Sequence, residues 1–176
     1  MRKTSVISAG LLAAWVLHDT EEYFTAVAGS REVARRIPRW VPIPADIREN
    51  GFSQKHFNTG LAVMAAFIGS AAASGVRSGG RSWFFQTTLQ GFGWHGFGHI
   101  AASVLSRRYT SGVATSPVVV IPYWLWARRA LAREGVPLRN VTLPAILLVP
   151  PVIVGAHVIA RLLTAPSRRH PAQQLP

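Results

Sequence analysis

The N-terminal stretch of this chain is apolar enough for a membrane helix, yet the segment 17–22 (LHDTEE) places one histidine and three acids inside it. The chain has only seven Asp and Glu residues, and three of them fall within this segment. At about 100° per residue, His18, Glu21 and Glu22 share one helical face, whereas Asp19 points away from it. Burying each such group at membrane depth costs about 2.5–3.5 kcal/mol. We therefore expect these side chains to serve a function.

The rest of the chain is typical of a membrane protein, since 49% of its 176 residues are hydrophobic and come in long blocks. We predict an all-α, polytopic membrane helix bundle with about five transmembrane helices, at 4–28, 55–76, 82–105, 113–130 and 141–163. A single transmembrane domain would cover 1–165. It would include a basic connection at the membrane interface over 31–55, containing a short amphipathic helix, and a disordered basic tail would follow over 166–176.

The net charge of +12 comes from Lys and Arg residues in short clusters between the apolar blocks, at 2–3, 35–36, 107–108, 128–129 and 168–169. Such clusters suit anionic lipid headgroups. Nucleic-acid binding would require a continuous basic surface, so membrane lipids are the expected partners and nucleic acid is not. The absence of cysteine excludes disulfides, thiolate metal sites and cysteine nucleophiles.

A second unusual segment is 91–99 (GFGWHGFGH), which has four glycines and two histidines. The glycines would be costly in an isolated helix. In a bundle they would either let backbones pack closely or let another molecule approach. His95 and His99 are four residues apart and face the same way. With carboxylates from a neighbouring helix, this spacing suits zinc, iron or manganese.

We predict that this pair joins the N-terminal cluster and the histidine at the start of the second predicted helix in one buried site. Iron or zinc is the expected cofactor, as a mononuclear or dinuclear centre. Glu21 and Glu22 are also the candidate catalytic residues, whereas His157 is expected to be structural. The predicted metal ligands are His18, Glu21, Glu22, His56, His95 and His99.

The segment from His18 to Glu22 matches the signature that names the HXXEE family of small bacterial membrane proteins. His56 and the two residues after it, the glycine-rich segment with its two histidines, and the segment 109–115 also resemble that family, so that the resemblance spans about residues 5–130. Ser111 stands where a proline is expected. The resemblance implies an integral protein of the bacterial cell membrane but no established activity, so it supports the site and not a reaction.

Three functions follow from these predictions. The favoured one is a membrane metalloenzyme, an oxidoreductase or hydrolase, whose lipophilic small-molecule substrate enters between helices. The second is a metal-free acid–base enzyme such as a terpene cyclase, in which Glu21 or Glu22 protonates an alkene. The third is a non-enzymatic assembly factor or a proton or ion pathway, and a pathway would require a homo-oligomer of so short a chain. The aromatic side chains expected to shield a carbocation in the second function are Trp15, Phe92, Trp94 and Phe97.

Overall fold

The structure is a computed structural model that describes residues 3–164. The prediction of an all-α fold is confirmed, because this range contains helices and no strand. The predicted basic tail, 166–176, lies outside it. The helices are α1 (Lys3–Arg36), α2 (Ala45–Asn50), α3 (Gln54–Ser78), α4 (Trp83–Ser106), α5 (Ile121–Arg133) and α6 (Thr142–Thr164), and a π-helical turn (Ser116–Val120) leads directly into α5.

The first helix was predicted to end at residues 29–30, but α1 continues to Arg36. One glycine inside a helix costs only about 1 kcal/mol. The next residue, Ser30, is buried, and its hydroxyl accepts a hydrogen bond from the backbone N–H of Phe52 at 2.8 Å. The helix ends before Pro38, since the residue preceding a proline disfavours helical geometry. The amphipathic helix predicted within the connection is therefore the last part of α1.

The hydrophobic core forms where α1, α3, α4 and α5 meet, and α6 packs against α3 and α4. Leu11 of α1, Phe85 and Leu89 of α4 and Leu131 of α5 are almost fully buried. Helices α1 and α4 run away from this core in the same direction, from N-terminus to C-terminus. They therefore carry the two polar segments, 17–22 and 91–99, to the same end of the bundle.

Two helices in the described range, α3 and α6, are long and apolar enough to cross a membrane. Their most apolar windows have mean hydropathies of 1.6 and 2.2, yet only 28% and 17% of these windows is buried in the bundle. The outward face of α6 exposes large side chains such as Leu147 and Leu162. The presence of about five transmembrane helices stays a prediction, since α1 is interrupted by ionisable groups and α5 has only 13 residues.

Three of the four glycines in 91–99 serve close packing of α4. A Cβ atom at Gly91, Gly93 or Gly96 would lie 2.5–2.8 Å from a side chain on α6, α5 or the π-helical turn. Such distances are far below ordinary van der Waals contact, so larger residues would force the helices apart. Gly98 differs, because a Cβ atom at this residue would have no neighbouring atom within 4 Å.

Candidate metal centre

Four ionisable side chains from two helices converge at the end of the core. His18 and Glu22 come from α1, and His95 and His99 come from α4. One potential ligand atom of each lies within 4.8 Å of those of the other three. Each pair has the spacing i, i+4, so each helix contributes two ligands from one face. His18 is fully buried and the other three are partly buried.

Two of the separations between these atoms can be compared with those around a bound metal ion. Ligand atoms about 2.0–2.1 Å from a tetrahedral ion stand about 3.3 Å apart. Nε2 of His99 lies 3.4 Å from a carboxylate oxygen of Glu22 and 2.8 Å from Nε2 of His95. The first separation already fits, and the two imidazoles would need to move apart by about half an ångström. The cluster could therefore hold a metal ion.

A hydrogen-bonded chain fixes the tautomer of His18. The hydroxyl of Thr115 donates to a carboxylate oxygen of Glu21 at 2.6 Å and lies 2.7 Å from Nδ1 of His18. A hydroxyl has one proton, so Nδ1 of His18 must be the donor to it. Nε2 of His18 is then unprotonated, and it is buried without a hydrogen-bond partner among the described residues. This is the form of a histidine that binds metal.

The carboxylate of Glu21 holds the loop over residues 107–115 against α1. It accepts hydrogen bonds from the backbone N–H groups of Ala114 at 3.1 Å and Thr115 at 2.7 Å, and from the hydroxyl of Tyr109. Desolvation and the bond to Glu21 raise the pKa of Tyr109, so its hydroxyl keeps its proton. Glu21 was predicted as a ligand and catalytic residue, but the structure places it behind His18, where it can orient the imidazole through Thr115.

At Gly112, the same loop lies directly over the imidazoles of His18 and His99. This residue has a φ of +81°, and a Cβ atom there would lie 2.7 Å from the ring of His99 and 2.9 Å from the ring of His18. The left-handed conformation and the close approach both require glycine. One residue earlier, the hydroxyl of Ser111 is hydrogen-bonded to Thr25 of α1 at 2.7 Å, a contact that the expected proline could not make.

His56 lies in a different cluster. Its Nε2 atom is 3.0 Å from Nδ1 of His157 on α6, and the ring of Phe52 stacks on both imidazoles. Of the six predicted ligands, four are thus brought together, Glu21 lies directly behind them and His56 lies apart. His157 does have a partner, but on another helix, so spacing along its own helix could not reveal it.

The four aromatic residues proposed to shield a carbocation do not form one lining. Trp15 is buried in the core, and the ring of Phe92 meets that of His18 edge-on at 6.1 Å. Trp94 and Phe97 are 41% and 40% exposed. Of the four, Phe92 lies against His18, and Trp94 lies beside His95 and His99 at the protein surface.

Sequence reasoning missed the roles of Thr115 and Gly112. The segment 109–115 stood out only through its resemblance to the family, because a loop has no periodicity that could assign its side chains to a face. The roles of these residues follow from their contacts in the folded structure and not from a pattern in the sequence.

Comparison with known families confirms that resemblance. The matching family has the description "Protein of unknown function with HXXEE motif". The match covers residues 9–127, which is more than half of the chain. The matched range contains the four clustered side chains together with Glu21, Gly112 and Thr115. No curated protein and no solved structure matches the chain.

Proposed function

The chain belongs to the family of proteins with the HXXEE motif, whose function is unknown, and we propose that it is a membrane metalloenzyme acting on a lipid-soluble substrate. His18, Glu22, His95 and His99 would bind one metal ion, and Glu21 would orient His18 through Thr115. One observation carries this proposal. Nε2 of His18 is buried, has no hydrogen-bond partner among the described residues, and lies next to two other imidazoles and a carboxylate.

A purely structural role for this cluster is disfavoured by its hydrogen bonding. Leaving a buried acceptor unsatisfied costs about 1–3 kcal/mol. The rings of His95 and His99 lie 5.4 and 5.0 Å from that of His18, measured between centroids, and neither supplies a donor to its Nε2 atom. A metal ion would satisfy all three imidazoles and the carboxylate of Glu22 at once.

The proposed enzymatic role favours iron over zinc. Three imidazoles and one carboxylate, without thiolate, suit either metal. Four protein ligands would complete the tetrahedral coordination of zinc, as in structural zinc sites. An iron ion with higher coordination would keep positions for water or a substrate, as enzymatic chemistry requires. A set of four ligands also supports one ion rather than two.

Placement in a membrane is supported by α3 and α6. A core helix of a soluble protein would be mostly buried, whereas only 28% and 17% of the most apolar windows of α3 and α6 is buried in the bundle. Large apolar patches on a surface mark contact with lipid or with another protein. The short basic clusters between the helices fit the headgroup region on either side.

Metal analysis of the purified protein is the direct test. We expect about one iron ion per chain after purification in a mild detergent, because imidazole and carboxylate ligands suit iron. The measurement is inductively coupled plasma mass spectrometry, repeated after incubation with Fe²⁺, Zn²⁺ or Mn²⁺ and removal of free ion. Folded protein that retains no metal under any of these conditions would contradict the proposal and turn attention to acid–base chemistry or ion transport.

The role of Thr115 is tested by Thr115→Val, which keeps the shape of the side chain but removes the hydroxyl. His18 would lose the partner that fixes its tautomer and ring orientation, and loss of such partners typically lowers metal affinity about 10–100-fold. Competition with a chelating dye for Zn²⁺ measures the change. Thr115→Ser, which keeps the hydroxyl, is the matched control and should bind nearly as tightly as the wild type. Equal affinities of the two variants would show that Thr115 does not orient His18.

A further inference from the structure

A cleft of about 420 Å³ opens beside the candidate metal centre, between α4 and α6. Two of the candidate metal ligands, His95 and His99, form part of its wall. A volume of this size is within the range of small-molecule binding sites, about 300–1,000 Å³. The remaining wall is formed by apolar or small residues: Trp94, Gly98, Ala102, Ile146, Val149 and Pro150.

We propose that this cleft admits the substrate, and that the substrate is a molecule with an apolar chain whose polar end reaches the metal. The inference rests on the proposed metal centre and adds the substrate class and the residues that would select it. The chain would lie along Gly98 and Ala102 of α4, and the polar end would lie beside His95 and His99.

The surroundings of the cleft favour an apolar occupant. Ile146 in its wall is 48% exposed, and the adjacent outward face of α6 exposes Leu143 and Leu147. A charged or strongly polar molecule would find few hydrogen-bonding groups in this wall. The cleft therefore opens toward the apolar surface that we assign to lipid, and a lipid-soluble molecule could enter without crossing water.

Gly98 leaves the wall of the cleft open at its position. The other three glycines of α4 in this segment are each pressed against a neighbouring helix or turn, but a Cβ atom at Gly98 would meet nothing within 4 Å. Ala102 follows four residues later on the same face of α4 and also lines the cleft. Packing thus explains the first three glycines, whereas nothing packs on Gly98, so this position and Ala102 leave the cleft wall free for an occupant.

The test uses Co²⁺-loaded protein and two hydroxamic acids, the two-carbon acetohydroxamic acid and the ten-carbon decanohydroxamic acid. The hydroxamate group would coordinate the metal and change the visible absorption of Co²⁺, so both affinities can be measured in the same detergent. In Gly98→Leu, we expect affinity for the ten-carbon probe to fall by roughly tenfold or more, because the new side chain fills the cleft. Affinity for the two-carbon probe should be unchanged.

Two further variants make the result specific. Gly69→Leu places the same side chain in open space on α3 and should leave both affinities unchanged. Ala102→Leu, on the cleft face, should act like Gly98→Leu and covers the case in which that variant does not fold. Wild-type protein that binds no Co²⁺ would overturn the metal centre together with this inference. If Co²⁺ binds but the leucine variants weaken neither probe, or weaken both equally, the inference fails alone and the metal centre stands.

Discussion

Replacing His99 by alanine should lower metal affinity by more than about 100-fold, the largest effect of any substitution considered. His99 is the central ligand, since its Nε2 atom lies 2.8 Å from Nε2 of His95 and 3.4 Å from Glu22. Loss of a residue that only supports a ligand already costs about 10–100-fold, so loss of the ligand itself should cost more. Titration with Co²⁺, followed by absorption spectroscopy, measures the change.

A second measurement for His99→Ala is the thermal unfolding temperature with and without metal. An ion present at 100 times its Kd stabilises the folded state by about 2.7 kcal/mol. The unfolding temperature of the wild type should therefore rise on addition of metal, whereas that of the variant should not.

The control is His56→Ala, which removes an imidazole of the other histidine pair, with His157. This variant should bind metal like the wild type, even if it unfolds at a lower temperature. Our assignment of the ligands would be wrong if His56→Ala lost metal binding as severely as His99→Ala.

Gly112→Ala should disturb the centre without removing any ligand. The residue adopts a φ of +81°, and a methyl group there would lie 2.7 Å from the His99 ring and 2.9 Å from the His18 ring. The unfavourable backbone conformation costs about 1–2 kcal/mol. The loop or the imidazoles must also move, so we expect both a lower unfolding temperature and a loss of metal affinity of roughly tenfold or more.

Gly135→Ala is the matched control for this substitution. Gly135 has a similar φ of +70°, but a Cβ atom there would have no neighbour within 4 Å. This variant therefore has the backbone strain without the steric contact. Each 1 kcal/mol of lost stability should lower its unfolding temperature by about 2–4 °C. Its metal affinity should equal that of the wild type. If Gly112→Ala also binds metal normally, the loop does not constrain the two imidazoles.

Helical periodicity predicted the four clustered side chains, but only within a larger set that also contained Glu21 and His56. His18 and Glu22 lie on one face of α1, His95 and His99 lie on one face of α4, and their rarity in an apolar chain marked both pairs. Periodicity could not separate the roles of Glu21 and Glu22, because adjacent residues differ by only about 100° around a helix. Which of them faces α4 and which faces the loop depends on how the helices pack.

The contacts made by loops and by distant helices could not be predicted in this way. The hydrogen bond from Thr115 to Glu21 joins residues 94 positions apart, and the pairing of His56 with His157 spans 101 positions. The continuous α1 was missed for a related reason, since the environment of Ser30 includes the backbone of Phe52, which lies beyond the end of that helix. Local sequence carries no information about such partners.

Under the proposed membrane placement, the unequal lengths of α1 and α4 bear on the side from which an ion could arrive. His99 is only about 10 Å from the end of α4, whereas α1 continues for about 27 Å beyond His18. In a bilayer the centre would thus lie at shallow depth, and the arginine-rich end of α1 would project into the aqueous phase. The loop bearing the half-exposed Tyr109 lies on that side of the centre. A hydrated cation would reach the imidazoles from water past this loop, while an organic molecule would come sideways from the hydrocarbon layer. Loading and turnover would then use separate routes.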